Sequence, residues 1–251
     1  MRGIISAVYS VIAYVVFFGA FLYAIGFVQN LIVPKSVDGV ASASLVVSLL
    51  IDLTLLGVFA VQHSVMARPA FKKIWTRVVP SESERSTYVL FASLSLLLLY
   101  WQWKPLPQTI WSVGDPLLAD GILSVGWFGW AMVLVSTFLI SHFHLFGLSQ
   151  GFARVLGQTG KDSGAFSTPF LYRWLRHPIY AGFIIAFWAT PHMSLGHLVF
   201  AIATTGYIFV GIWFEERDLI TQFGDRYREY RRSVGMLVPK MTVASRSKRP
   251  V

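Results

Sequence analysis

The sequence predicts an all-α membrane protein: a polytopic helical bundle of five to six spans with an interfacial helix towards its C-terminal end. Three observations predict it. Only 13% of the 251 residues are charged and 55% are hydrophobic, against roughly 25% charged in a soluble protein. The apolar residues come in blocks long enough to cross about 30 Å of hydrocarbon. Of the 21 Lys and Arg residues, 19 fall on alternate connections between those blocks or in the two terminal segments on the same side, the asymmetry that orients membrane proteins.

The first block runs from Ile4 to Val28. It is too long for the core of a signal peptide and no small-residue cleavage site follows, so it reads as a retained span. The second covers 43–63 and ends at His63-Ser64, the third covers 88–103 from Tyr88, and the fourth covers 122–143. The fifth, 179–190, stops near Pro191 and is expected to form a hairpin with the sixth, 196–214. After Glu215, the residues Leu219, Phe223, Tyr227 and Tyr230 recur at helical spacing among charges. That stripe fits an amphipathic helix on the interface. No repeat is evident, so 1–240 reads as a single membrane domain and 241–251 as a basic, disordered tail.

Connections 29–42 and 104–121 hold one basic residue each, Lys35 and Lys104. Six crossings then put both termini in the cytosol, and the net charge of +9 serves topology and lipid headgroups. The expected partner is the lipid bilayer, not nucleic acid. With no cysteine, disulfides, thiolate metal sites and cysteine nucleophiles are excluded. His63, His142, His144, Arg176, His177, Glu215 and Glu216 fall at the cytosolic ends of spans, and His192 and His197 at the opposite ends.

The densest group of polar residues is Arg176-His177-Pro178-Ile179-Tyr180, with Gly182 beyond it. Pro178 suits the first turn of a helix, which would set Arg176 and His177 beside free N–H groups that favour an anion. A snorkelling Arg at the headgroups is the plainer alternative. Glu215-Glu216 follows Trp213-Phe214, and carboxylates so near hydrocarbon need partners. Arg217 could supply one, or the pair could hold a cationic or hydroxyl-rich ligand. Asp52 shares a helix face with His63 about 16 Å deeper; it is either functional or bonded to a neighbouring span. His142 and His144 point nearly opposite ways on a helix, and no metal-ligand spacing occurs, so no metal is expected. Gln158-Thr159-Gly160-Lys161 resembles a phosphate loop only superficially, with Val155 and Asp162 where Gly and Ser or Thr are needed.

Arg176-His177-Pro178-x-Tyr180-x-Gly182, then Glu215-Glu216-x-x-Leu219-x-x-x-Phe223-Gly224-x-x-Tyr227-x-x-Tyr230 and Val238-Pro239, resembles the isoprenylcysteine carboxyl methyltransferase group. Two further stretches, Gln62-His63-Ser64-x-Met66-Ala67-Arg68-Pro69 and Ser141-His142-Phe143-x-Leu145-Phe146-Gly147-Leu148, are similar to bacterial methanethiol S-methyltransferases and NnrU-like membrane proteins.

The resemblance implies a cytosol-facing S-adenosylmethionine site in a bacterial inner membrane, methylating a small thiol. Arg176, His177 and Tyr180 would hold the cofactor's polar end, and Pro178 and Gly182 would shape the turn and allow close approach. Glu215 and Glu216 would bind its amino or ribose groups. Thiols are mostly protonated at neutral pH, since even cysteine has a pKa of about 8.5. His63 or His142 is then a candidate base, with Arg68 or Arg85 stabilising the thiolate and Tyr88 a further candidate. The plainer roles are carbonyl or headgroup contacts for the histidines and interfacial anchoring for Tyr88. An isoprenylcysteine carboxylate or lipid amine as acceptor, or a ligand-binding protein without catalysis, stays open.

Overall fold

A computed structural model describes residues 2–157 and 166–240. In chain order these form α1 (Arg2–Gln29), α2 (Leu45–Ala67), α3 (Pro69–Trp75), α4 (Ser81–Gln102), β1 (Thr109–Ser112), α5 (Pro116–Ile140), α6 (His142–Leu145) and α7 (Leu148–Ala153). A 3-10 turn at Phe170–Arg173, α8 (Pro178–Trp188), β2 (His192–Ser194), α9 (Leu195–Phe223) and α10 (Asp225–Ser233) follow. The Gln158–Lys161 stretch with Asp162, and the tail 241–251, lie outside the described residues.

Four helices are long and apolar enough to cross a membrane: α1 from Gly3, α2, α5 and α9. Their outward faces are as apolar as their inward ones, as Val46, Leu50, Leu53 and Val61 on α2 illustrate. A helix that is hydrophobic all round has lipid for its outer solvent. The chain is therefore a polytopic helical membrane bundle, as the composition predicts. The third predicted segment is α4, whose first turn carries Glu82 and Glu84. The fifth is α8, whose 11 residues reach only about half of a 30 Å hydrocarbon layer.

The predicted ends shift wherever a cap, rather than hydropathy, sets them. Helix α2 continues four residues past His63 before Arg68 turns extended and Pro69 opens α3. Helix α4 begins seven residues before Tyr88, directly after Pro80, so Tyr88 lies two turns inside it. The fourth segment breaks at Ser141 (φ 153°), which puts His142 and His144 on the separate short helix α6. Helix α9 runs nine residues past Phe214, so Glu215 and Glu216 sit within a helix and not at its end. The interfacial stripe is thus divided: Leu219 and Phe223 belong to α9, Tyr227 and Tyr230 to α10. Gly224 makes the bend between them at φ 58°, a conformation that costs glycine nothing.

Helix α5 packs along α8, α1 along α4, and α2 against both α4 and α9. The α5–α8 contact is backbone-close. A Cβ on Gly182 would meet the Gly129 carbonyl oxygen at 2.7 Å, and one on Gly129 the Ala186 nitrogen at 2.6 Å, the small-residue packing that membrane helices favour.

One end of the bundle is stapled by contacts that the sequence did not announce. Strands β1 and β2 pair antiparallel there. Asp52 Oδ1 accepts the backbone N–H of Lys104 at 2.8 Å, so this intramembrane carboxylate caps the chain leaving α4. Asp38 accepts from Asn30 Nδ2 at 2.7 Å and from the Ser194 hydroxyl, while His197 Nε2 donates to the Phe187 carbonyl at 2.9 Å. The Asp38 carboxyl is driven up by burial but down, more strongly in sum, by the His197 ring 3.9 Å away and by its hydrogen bonds from Ser194 and Asn30.

Candidate active site

At the other end the motif residues converge on one carboxylate. Pro178 is the first residue of α8 and His177 its N-terminal flank, which brings Arg176 and His177 against α9. Arg176 Nε donates to Glu216 Oε1 at 2.7 Å, and His177 Nε2 lies 3.2 Å from the same oxygen. Arg231 Nε, from α10, reaches Glu216 Oε2 at 3.2 Å. Arg176 Nη1 also donates to the carbonyls of Arg231 at 3.1 Å and Val234 at 2.6 Å. The backbone locks the same place: Arg176 N–H to Gly235 O at 2.8 Å and His177 N–H to Met236 O at 3.1 Å. Arg176, His177 and Glu216 are all buried. A buried ion pair persists when its remaining lone pairs and protons are satisfied, and here they are.

The twin glutamates therefore have different lives. Both oxygens of Glu216 are engaged by protein cations. The Glu215 side chain is 44% exposed, and His177 Nδ1 lies 3.7 Å from its Oε2. Tyr180 packs on His177 with ring centroids 5.6 Å apart, and its hydroxyl approaches Gly211, one turn before Glu215. It lies within electrostatic reach of Glu215, Tyr88 and Tyr207. Below the knot, burial raises the phenols of Tyr172, Tyr227 and Tyr230, the last up to about 12, with Arg176 opposing and Glu216 adding to the rise for Tyr230. They stay protonated donors: Tyr230 Oη donates to the Tyr172 carbonyl at 2.5 Å. Tyr227 Oη is buried with no partner among the described residues.

A second polar group adjoins this one through Tyr180. The Tyr88 hydroxyl lies 2.7 Å from His63 Nε2, and the Arg85 guanidinium sits 5.1 Å over the Tyr88 ring while its Nε donates to the Leu145 carbonyl at 2.8 Å. Phe59 and Tyr207 wall the His63 ring at 5.2 and 6.3 Å. The hydroxyls of Tyr207 and Ser64 are 3.1 Å apart. Arg68 reaches Asp218 at 3.3 Å and lies 4.7 Å over Phe214, tying the end of α2 to α9.

Among known proteins, the chain is 56% identical to methanethiol S-methyltransferase 1 of Bradyrhizobium diazoefficiens, over 94% of this chain and 82% of that one. It is 53% identical to methanethiol S-methyltransferase of Mycobacterium tuberculosis, over 95% of this chain and 98% of that one. The chain belongs to the methanethiol S-methyltransferase family. Methanethiol S-methyltransferase 2 of B. diazoefficiens is 49% identical over 95% of this chain and 92% of its own. No protein-family model matches the chain, and no solved structure matches it.

Within this methanethiol S-methyltransferase family member, the residues singled out from the sequence separate into three places. Arg176, His177, Tyr180, Glu215 and Glu216 come together; His63, Tyr88 and Arg85 come together beside them. His142 lies elsewhere. Its Nε2 is 2.8 Å from Tyr14 Oη and its Nδ1 2.8 Å from Thr137 Oγ1, and Phe138 stacks on its ring at 4.1 Å. With both nitrogens engaged and burial lowering its pKa, it bridges α1 and α5. What Gly182 admits to close range is the backbone of α5. Sequence reasoning missed Tyr207 and Arg231. Tyr207 had a signal, since Tyr207, Gly211 and Glu215 recur every four residues on one face of α9. Arg231 had none beyond its place in a basic run.

Proposed function

We infer that this protein is an S-adenosylmethionine-dependent thiol methyltransferase that converts methanethiol to dimethyl sulfide. The observation that carries the reading is the division of labour between the glutamates: Glu216 is consumed by Arg176, His177 and Arg231, and this leaves Glu215 presented beside Tyr180. A half-exposed carboxylate beside a phenol, with a Tyr227 hydroxyl that has no partner among the described residues on the adjoining helix, suits a compact, cationic, hydroxyl-bearing ligand. The residues therefore fit S-adenosylmethionine, with Glu215, Tyr180 and Tyr227 holding its polar groups and Arg176, His177 and Glu216 fixing the frame. The names borne by its relatives supply methanethiol as the acceptor.

Bound there, S-adenosylmethionine would supply a methyl group on a sulfonium, so that the thiolate's electron pair makes the new carbon–sulfur bond while the old bond's pair returns to the donor sulfur. The chain must supply position, dryness and a place for the thiol proton. In our reading Tyr88 takes that proton as it passes its own to His63 Nε2, 2.7 Å away. Arg85 over the Tyr88 ring favours charge passing through the phenolic oxygen. Phe59, Tyr207 and Tyr88 keep water from the reacting sulfur. Opposite charges annihilate in this displacement, so a dry site favours it over the hydrated reference reaction. The Lys and Arg distribution supports a cytosolic placement of this end and of both termini, and a bacterial inner membrane and a single catalytic domain over 1–240 belong to the same reading.

The deciding test is headspace chromatography of purified protein given methanethiol and S-adenosylmethionine, beside a prenylcysteine and a lipid amine. Dimethyl sulfide should form only with both substrates. Methylation of the prenylcysteine or lipid amine in its place would overturn the choice of acceptor. Failure to bind the cofactor's demethylated product would remove the enzyme reading altogether.

A further inference from the structure

Between α2 and α9 lies a half-open apolar cleft of about 210 Å³, walled by Leu53, Leu56, Gly57, Ala60, Ala203 and Thr204, with Phe59 and Tyr207 at one end. It runs along α2 from Ala60 to Leu53, about 10 Å at the helical rise. Small residues make it. An ideal Cβ on Gly57 meets nothing within 4 Å, and the Thr204 hydroxyl is turned back onto the Phe200 carbonyl at 2.6 Å, so only its methyl can face the cleft. Tyr207 is the polar residue at the Phe59 end of the lining, and Ser64 and His63 adjoin it just beyond the lining. There the Tyr207 and Ser64 hydroxyls meet at 3.1 Å, beside His63 and within electrostatic reach of Tyr180.

A lipid acyl chain has no use for a hydroxyl pair and an imidazole at its tip. A thiol does: its sulfur wants donors where charge develops, and its carbon chain wants apolar walls. The space also greatly exceeds the needs of a single methyl group. We propose that the α2–α9 cleft is the acceptor's hydrocarbon site, that Tyr207 and Ser64 form its sulfur end, and that the enzyme methylates straight-chain alkyl thiols beyond methanethiol. This rests on the thiol-methylation reading above and assigns Tyr207, Ser64, Gly57 and Ala203 roles in acceptor binding. The chemistry is the same displacement, with only the chain on the sulfur lengthened.

The test compares methanethiol, propanethiol and hexanethiol with the full-length protein, reading the methyl thioethers by gas chromatography. The wild-type protein should methylate all three. Gly57→Leu and Ala203→Leu fill the cleft from opposite walls. Each should lower the hexanethiol-to-methanethiol ratio of kcat/KM by about tenfold or more, in line with the worth of methylene contacts in apolar pockets. A Cβ at Gly57 meets nothing within 4 Å, which guards Gly57→Leu against a backbone clash. Tyr207→Phe should raise KM for every thiol while the dissociation constant for S-adenosylhomocysteine holds. Turnover of methanethiol with rejection of both longer thiols, or an unchanged ratio in Gly57→Leu, would show that the cleft seats lipid and overturn the proposal. If no thiol, methanethiol included, gave a thioether, the thiol-methylation reading itself would fall.

Discussion

Exchanging each of the adjacent glutamates for glutamine separates frame from ligand contact. In Glu216→Gln the Arg176 guanidinium loses its counter-charge while its side chain stays 6% exposed. Breaking a buried pair by removing one partner costs about 3–5 kcal/mol. Arg176 keeps the Arg231 and Val234 carbonyls as acceptors, so the loss should sit near the lower bound, about 3 kcal/mol. Arg231 adds little, because its side chain is 52% exposed and exposed pairs are worth about 0–1 kcal/mol. At about 2–4 °C per kcal/mol for a chain of this size, Tm should fall by about 6–12 °C. Glu215→Gln removes a 44% exposed carboxylate and should leave Tm nearly unchanged. It should instead weaken S-adenosylhomocysteine by about tenfold to a hundredfold, the worth of one charged hydrogen bond at about 1.5–3 kcal/mol. Thermal unfolding in detergent and titration calorimetry on both variants read these quantities. The reverse pattern, with Glu215→Gln unstable and Glu216→Gln merely weak in binding, would refute the assignment.

Gly182→Val should destabilise strongly, by more than the roughly 1–3 kcal/mol of ordinary overpacking, because its Cβ meets backbone at 2.7 Å; expression and Tm check it. His142 has a folded pKa below 6.5 because it is buried, so the unfolded chain binds its proton first. Its share of stability is full above about pH 6.5 and is lost as pH falls towards the folded value; unfolding of His142→Gln should lack that acid-dependent component. His63→Ala should cut kcat far more than it weakens S-adenosylhomocysteine, whereas equal losses of both would exclude His63 as the base. Because the chain has no cysteine, single cysteines at Ser112 and Ser233 give an unambiguous topology test in intact cells. An impermeant thiol reagent should label only the first.

The apolar middles of the helices were legible because lipid imposes hydropathy on every outward face. Their ends were not, because local caps and partners decide them. Pro80, with Glu82 and Glu84 behind it, starts α4 ahead of its hydrophobic run. Helix α9 carries on through Glu216 because Arg176 and Arg231 neutralise a charge that hydropathy can only score as an interruption. Strands of four and three residues leave no alternation to read. In the candidate site, Arg-His-Pro-x-Tyr and Glu-Glu could be recognised as patterns. That one glutamate is spent internally and the other is not depends on side-chain directions that spacing does not contain. Tyr207 was legible only through its four-residue spacing to Gly211 and Glu215 on one face of α9, since it is a lone phenol in an apolar span.

The clasp between Arg176 and residues Val234–Met236 has a consequence for how the protein comes to life. By the time the ribosome has made α9, the four span-length helices among the described residues have all been synthesised, yet the carbonyls that seat Arg176 have not. Those helices can thus be threaded into the bilayer before the Arg176 seat exists, and it closes only once translation passes Met236. The frame around Glu216 is completed only after the helices it ties together have been made.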